Sequence, residues 1–241
     1  MTPIDKILTA GLEAYGLLDR VSPGAVPALD RYSQLLLEKN QTMNLTAIRE
    51  PEQVAQLHML DCAALLNCAD LTGEKRLLDV GTGAGFPGMV LKILLPALDV
   101  TLLDSLNKRL DWLAETCGTL GLSGIRTVHA RAEEQALQPG FRDSFDFVTS
   151  RAVAPLNLLC ELCLPYVRVG GKFLAMKAVD SDEELSQAMG GIRLLGGRVL
   201  PPFDYTIPGT EITHRVISIE KTAPTPKGYP RRWAKIQKAP L

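Results

Sequence analysis

The run Asp79-Val80-Gly81-Thr82-Gly83-Ala84-Gly85, continuing through Phe86-Pro87-Gly88, sets a carboxylate at the entrance of a glycine-rich turn. Glycines accept positive φ and let a ligand approach the backbone, and a plain turn would need only one or two of them. Two ligand chemistries compete for such a corner. Gly83 to Gly88 fits the GxGxxG pattern, which aims helix N–H groups at the pyrophosphate of a dinucleotide. Asp79 weighs against that reading, because a carboxylate there would face two phosphate charges across a confined cleft. S-adenosylmethionine has no phosphate; its sulfonium and ammonium charges suit a nearby acid. Asp104, roughly 20 residues beyond the loop, stands where an acid accepts hydrogen bonds from ribose hydroxyls, and it serves either ligand.

These residues need a frame that brings them to one edge. From Lys75 the sequence alternates between apolar strands and helices. Strands are expected at 76–80, 99–105, 125–130, 145–152 and 170–177, with helices at 88–95, 107–121, 156–166 and 181–195. That alternation predicts an α/β fold with a mostly parallel twisted sheet covered on both faces. Ligands of such sheets bind beyond the carboxyl ends of the strands, where Asp79 and Asp104 both lie. The segments "RVLPPFDYTI" and "HRVISIEK" follow with no helix between them, so an antiparallel closing pair is expected.

Residues 1–70 read as a helical extension packed on the core, with Ile4, Ile7, Leu8, Leu12 and Tyr15 on one helical face and Val26, Leu29, Tyr32 and Leu36 on another. Pro51 sits where a first-turn proline is tolerated. "NQTMNLTAI" (40–48) reads as a polar surface connection. Residues 71–221 form the α/β core, and 222–241 a basic, Pro-rich tail. Around that tail Lys221, Lys227, Arg231, Arg232, Lys235 and Lys238 meet no acid, and Pro224, Pro226, Pro230 and Pro240 argue against regular structure.

With 241 residues and 46% hydrophobic content, the chain can bury the core of one α/β domain with an extension. No apolar run reaches the length of a membrane span. The N-terminus reads as an amphipathic helix and not as a signal peptide. Five cysteines, an odd number, point to reduced thiols and a cytoplasmic location. Cys160 and Cys163 form a CxxC inside an apolar helical run and read as core packing. His58, His129 and His214 are scattered and build no metal motif, and His58 reads as a structural histidine.

On these motifs the chain resembles the glucose-inhibited division protein B family, the bacterial 16S ribosomal RNA guanine-N7 methyltransferases. The matching pieces are "NQTMNLTAI", "HMLDCAALL", "LLDVGTGAGFPG", "LLDSLNKRLDWL", "RAEE", "FDFVTSRAVAPL" and "GGKFLAMK", in order over most of the chain. The acid and GxGxG turn at Asp79 to Gly85 resemble motif I of class I methyltransferases. The tail resembles the Pro-Thr-Pro…Tyr-Pro-Arg tails of some members but departs after Arg232, where "WAKIQK" replaces a Gly-x-Pro segment. The resemblance implies a class I S-adenosylmethionine-dependent methyltransferase fold, S-adenosyl-L-methionine as donor and a guanosine in the 530 loop as acceptor. It implies that Gly81 and Phe86 line the donor site, that Ala132 and Glu133 hold the adenine, and that Arg151 reaches donor or acceptor.

Guanine N7 presents a lone pair and no proton, so its methylation needs alignment more than a general base. The stretch "SRAVAPL" lacks the Asn/Asp-Pro-Pro-aromatic motif of adenine amine methyltransferases, and Cys160 is too far into the next helix to act as a nucleophile. Arg151 and Lys177 are the candidate catalytic residues. Arg151 is expected on guanine O6, a phosphate or the donor carboxylate, since a grip on N7 would block the nucleophile. The cofactor-binding set is then Asp79, Gly81, Gly83, Gly85, Phe86, Asp104, Ala132, Glu133 and Arg151, with no metal. The expected partner is 16S ribosomal RNA or the small ribosomal subunit, bound by a monomer whose tail supplies cations and aromatics to single-stranded RNA. Two other readings stay open: an NAD-dependent oxidoreductase, and a non-catalytic RNA-binding protein with a donor-shaped pocket.

Overall fold

The computed structural model describes residues 2–241. The apolar runs become strands β1 (Arg76–Val80), β2 (Asp99–Asp104), β3 (Ile125–His129), β4 (Phe145–Arg151) and β5 (Val167–Ala178), followed by β6 (Gly197–Val199), β7 (Phe203–Thr206) and β8 (Thr213–Lys221). They form one sheet in the order β3-β2-β1-β4-β5-β8-β6, with β7 also on β8. β1 to β5 run parallel. β8 runs antiparallel to β5, and β6 and β7 share its other edge.

Successive side chains of a strand point to opposite faces, and here each face has its own core. Leu77, Val100, Leu102, Phe147, Leu174 and Val216 pack into one; Leu78, Val80, Leu103, Val148, Phe173 and Ile217 pack into the other. The first core receives the helices Gly88–Leu94 and Asn107–Thr119 together with the N-terminal helices, through Leu8, Leu12, Leu29, Tyr32 and Met59. The second receives the helices Leu156–Cys163 and Asp182–Leu194 and the C-terminal tail.

The N-terminal helix Pro3–Ala14 starts with a reciprocal cap, in which Thr2 Oγ1 accepts from Asp5 N at 3.0 Å and Asp5 Oδ2 accepts from Thr2 N at 2.8 Å. The second helix, Ala25–Met43, runs four residues into the stretch expected as a connection. Its end is held by Asn40, whose amide both donates to Thr46 O and accepts from Thr46 N. Residues 51–68 form a broken helical run with a π-helical stretch at Ala55–Leu60. Cys160 and Cys163 are fully buried in the helix Leu156–Cys163, and burial pushes both thiols up.

The tail corrects the sequence reading, because it holds regular structure and is bound along its length. Lys221 is fully buried, and its ammonium donates to Asp143 Oδ1, Thr225 Oγ1 and the carbonyls of Leu164 and Val167. Arg142 donates to the carbonyls of Thr225 and Tyr229, each at 2.8 Å. Arg231 forks onto Glu161, a fully buried carboxylate, at 2.6–3.1 Å. A short helix, Trp233–Lys238, then seats Ile236 in the second core. The prolines shape this path without preventing the helix, because all four lie outside it. Two of the six cations, Lys221 and Arg231, are spent on internal ion pairs.

Candidate functional site

The glycine turn sits at the carboxyl end of β1 and separates two cavities. Gly81 lines both. It adopts φ +67°, and a Cβ there would lie 2.6 Å from a methyl of Val153. Val153 is placed there by Ala152, whose left-handed φ of 55° is uncommon for a non-glycine residue and turns the chain sharply after β4.

Asp79 does not face either cavity, contrary to its expected role beside a ligand charge. It is fully buried behind the turn and accepts from Thr82 Oγ1 at 2.6 Å, Thr149 Oγ1 at 2.9 Å and Gly88 N at 3.0 Å. Burial raises its carboxyl above the usual range, and these hydrogen bonds pull the other way. Gly85 is likewise a packing residue. A Cβ there would meet Tyr32 Oη at 2.5 Å and the side chains of Met89 and Leu113. Asp79 therefore braces the loop, and Gly85 lets it approach the N-terminal helices.

The smaller cavity, about 240 Å³, lies over the ends of β2 and β3 and is lined by Gly81, Asp104, Ala132 and Glu133. Asp104 Oδ2 accepts from Gly83 N and Oδ1 from Leu106 N, each at 2.9 Å. Glu133 is paired with Arg131 at 2.7 Å. Apart from Ala84, the other loop amides are also used internally. Gly81 and Thr82 donate to Leu103 O, Gly85 and Phe86 donate to Thr82 O, and Gly88 donates to Asp79.

The larger cavity, about 540 Å³, includes Gly81, Gly83, Phe86, Arg151 and Lys177 in its lining. Its floor is a charge network centred on Asp61, a buried carboxylate that takes Arg151 Nη1 at 3.0 Å, His214 Nδ1 at 2.8 Å and Tyr205 Oη at 2.7 Å. Burial alone would raise this carboxyl; the His214 hydrogen bond, the Arg151 charge and the Tyr205 hydroxyl outweigh it, and the net shift is downward. The same Asp61 hydrogen bond raises His214 against its partial burial.

Arg151 extends the network to His58. Its Nη2 lies 3.0 Å from His58 Nδ1. A guanidinium can only donate, so Nδ1 accepts and the imidazole proton sits on Nε2, which donates to Thr46 Oγ1 at 2.8 Å. Leu57 O, 3.1 Å from the same Nδ1, accepts from Arg151 Nη1 instead. Burial and the Arg151 charge push His58 down to about 3, so it is neutral at physiological pH. Phe86 underlies both groups, stacked on His58 with centroids 4.5 Å apart and 4.9 Å below the Arg151 guanidinium. Thr46 Oγ1 also accepts from Ile48 N at 3.1 Å, which fills its lone pairs and leaves its proton free to donate.

Lys177 reaches the rim of this cavity, but its ammonium is engaged by Glu184 at 2.6 Å and by Ala154 O at 2.8 Å. The two contacts tie the turn after β4 to the helix that carries Glu184. Sequence reasoning passed over Asp61, Tyr205 and His214 as site residues. The available signal for Asp61 was an acid inside the apolar run "HMLDCAALL", where an unpaired carboxylate would be costly. Nothing local marked Tyr205 or His214, which become neighbours only through the β7–β8 register.

Comparison with known proteins adds to this geometry. The model of the GidB family, described as rRNA small subunit methyltransferase G, matches residues 25–200. The chain is 43% identical over 228 residues to the ribosomal RNA small subunit methyltransferase G of Alkaliphilus oremlandii, covering 95% of each. It is 47% identical over 210 residues to the protein of that name from Lachnoclostridium phytofermentans, covering 87% of each. A SAM-dependent methyltransferase from Aquifex aeolicus is similar in structure, with TM-score 0.54 and 18% identity over 73% of this chain and 96% of that one. TrmN from Thermus thermophilus gives TM-score 0.52 and 23% identity, covering 67% of this chain and 48% of that one. The structural likenesses show the class I methyltransferase fold.

Proposed function

The chain belongs to the rRNA small subunit methyltransferase G family, and from that premise we propose that its paired cavities carry a methyl group from S-adenosyl-L-methionine to N7 of a guanosine in the 530 loop of 16S ribosomal RNA. The observation that carries the donor reading is the direction of the loop amides. Gly81, Thr82, Gly83, Gly85, Phe86 and Gly88 all donate to the protein's own oxygens, which leaves Ala84 as the one loop amide without an internal acceptor, too few to cradle a pyrophosphate. The adjoining cavity presents the carboxylates of Asp104 and Glu133, which suit hydroxyls and an exocyclic amine and repel phosphate. The residues present thus fit an adenosyl sulfonium compound and disfavour NAD.

The bound donor supplies an electrophilic methyl group on sulfur. Asp104 retains lone pairs for ribose hydroxyls, Ala132 and Glu133 flank the adenine, and Gly81 sits between donor and acceptor spaces. On the acceptor side Asp61 and Phe86 fix Arg151, and the free Thr46 hydroxyl and the unspent Arg151 N–H groups can hold guanine O6 while N7 stays free. Neutral His58 acts as an acceptor that orients Arg151, with no proton to move in the reaction. Catalysis then rests on alignment, which can supply roughly 7–11 kcal/mol. Lys177 is a positioning residue that ties the turn after β4 to Glu184. The protein is proposed to act as a cytoplasmic monomer; among the described residues no helix is long and apolar enough to cross a membrane.

The test is incubation of the purified protein with methyl-labelled donor and 16S RNA or small subunits, followed by nucleoside analysis. Label in 7-methylguanosine is expected. Label in another nucleoside, or binding of NAD with no binding of S-adenosylhomocysteine, would overturn the proposal.

A further inference from the structure

We propose that Trp233, delivered by the docked C-terminal tail, is a wall of the adenine half of the donor site, so that the tail is part of the donor-binding apparatus of this chain. The inference rests on the donor reading above and assigns a residue that the motifs of the α/β core do not include. The smaller cavity is closed on one side by Trp233, together with Asp104, Glu133 and the apolar side chains of Leu103, Val153 and Leu162. The indole is partly buried against the second core, and the Arg131 guanidinium lies 5.7 Å from its ring centroid. Arg131 is in turn ion-paired with Glu133 in the same wall. A flat, uncharged purine entering between Asp104 and Glu133 meets an aromatic surface of the kind on which bases stack.

The docking of the tail makes this placement specific. Arg231, two residues before Trp233, is locked onto buried Glu161 by its backbone N–H at 2.7 Å and by its guanidinium. Ile236, three residues after it, is fully buried. An arm extended to fish for RNA would leave these groups in water. The Trp233 side chain is the only one of the segment 233–238 that lines the cavity.

The test is titration calorimetry of S-adenosylhomocysteine and of 5′-methylthioadenosine, which lacks the amino-acid arm. The full-length protein is compared with Trp233→Ala, Trp233→Leu and Trp233→Phe, and melting temperatures check folding. Losing the aromatic face should weaken both ligands by roughly ten-fold in the Ala and Leu variants, with Phe restoring most of the affinity. Leu preserves apolar packing, so it decides the matter if Ala unfolds. Unchanged affinity in Leu or Ala overturns the inference while leaving the donor reading intact. Loss confined to S-adenosylhomocysteine overturns it too, since Trp233 would then touch the amino-acid end. Wild-type protein that binds neither ligand overturns the donor reading and this inference with it.

Discussion

On one side of Gly81 the recognition groups are Asp104, Ala132 and Glu133, each standing at the end of a strand or at the start of the short helix that follows one. On the other side Asp61, Arg151, Tyr205 and His214 are drawn from segments separated by as many as 153 residues and meet around one buried carboxylate. The donor side is thus made of local corners that each β-α unit forms for itself. The acceptor side exists only when the N-terminal helices, β4 and the closing strands have docked together. Damage to the first should appear mainly as lost ligand affinity. Damage to the second should appear as lost stability and lost turnover together.

The largest effect that probes this contrast is Asp61→Ala, which strands the buried Arg151 charge and should cost about 3–5 kcal/mol in urea denaturation. Methyl transfer should collapse, while the folded fraction still binds S-adenosylhomocysteine within roughly two-fold of wild type. Affinity falling in step with turnover would erase the distinction between the two sides. By the same logic Arg151→Ala should lose both activity and stability, because Arg151 is a structural ion pair as well as a site residue. Next comes Asp79→Ala, which leaves three buried donors without an acceptor. It should cost about 1–3 kcal/mol and, unlike Asp61→Ala, weaken S-adenosylhomocysteine in calorimetry, because the loop it braces is the divider itself.

Acid should reach the acceptor side first. His58 is held down to about 3 when folded against about 6.5 unfolded, so below neutrality the unfolded chain binds the extra proton. Stability should fall as the pH drops from 7 to 5, by about 2 kcal/mol from this group, and His58→Gln should flatten that loss in urea midpoints. His214 works in the opposite window. Its folded value is raised, so its contribution is complete below about 6.5 and is lost as the pH climbs through the folded value; His214→Gln should remove that alkaline loss. The smallest effect concerns the exposed cations Lys227, Arg232, Lys235 and Lys238. Replacing all four with Ser should lower the salt slope of RNA binding by about 3 at most and leave donor affinity unchanged. An unchanged slope would confine the tail to the donor side.

The sheet was readable because each strand is an apolar run bounded by turn residues, and the donor corners because strand-end acids and glycines sit next to each other in sequence. Two errors share one cause. Asp79 and Gly85 belong to the motif, yet the motif does not say which way a side chain points, and both turned inward. The tail misled through composition, since its acidic partners Asp143 and Glu161 lie 78 and 70 positions away. The partner of Lys177 stayed out of sight similarly, for Glu184 sits in the next helix. The Asp61 network stayed hidden because its members are joined by docking and register alone.

The π-helical stretch at Ala55–Leu60 carries His58 and ends at Asp61. Such a wide turn holds one residue more than ordinary winding would, and each residue of a helix advances the azimuth by about 100°. A genetic deletion of a single codon there would relax the coil while swinging His58 or Asp61 out of reach of Arg151. The helical run 51–68 can therefore drift by exchange of its solvent-facing letters, such as Glu52 and Gln53 just ahead of the wide turn, and scarcely at all by change of length.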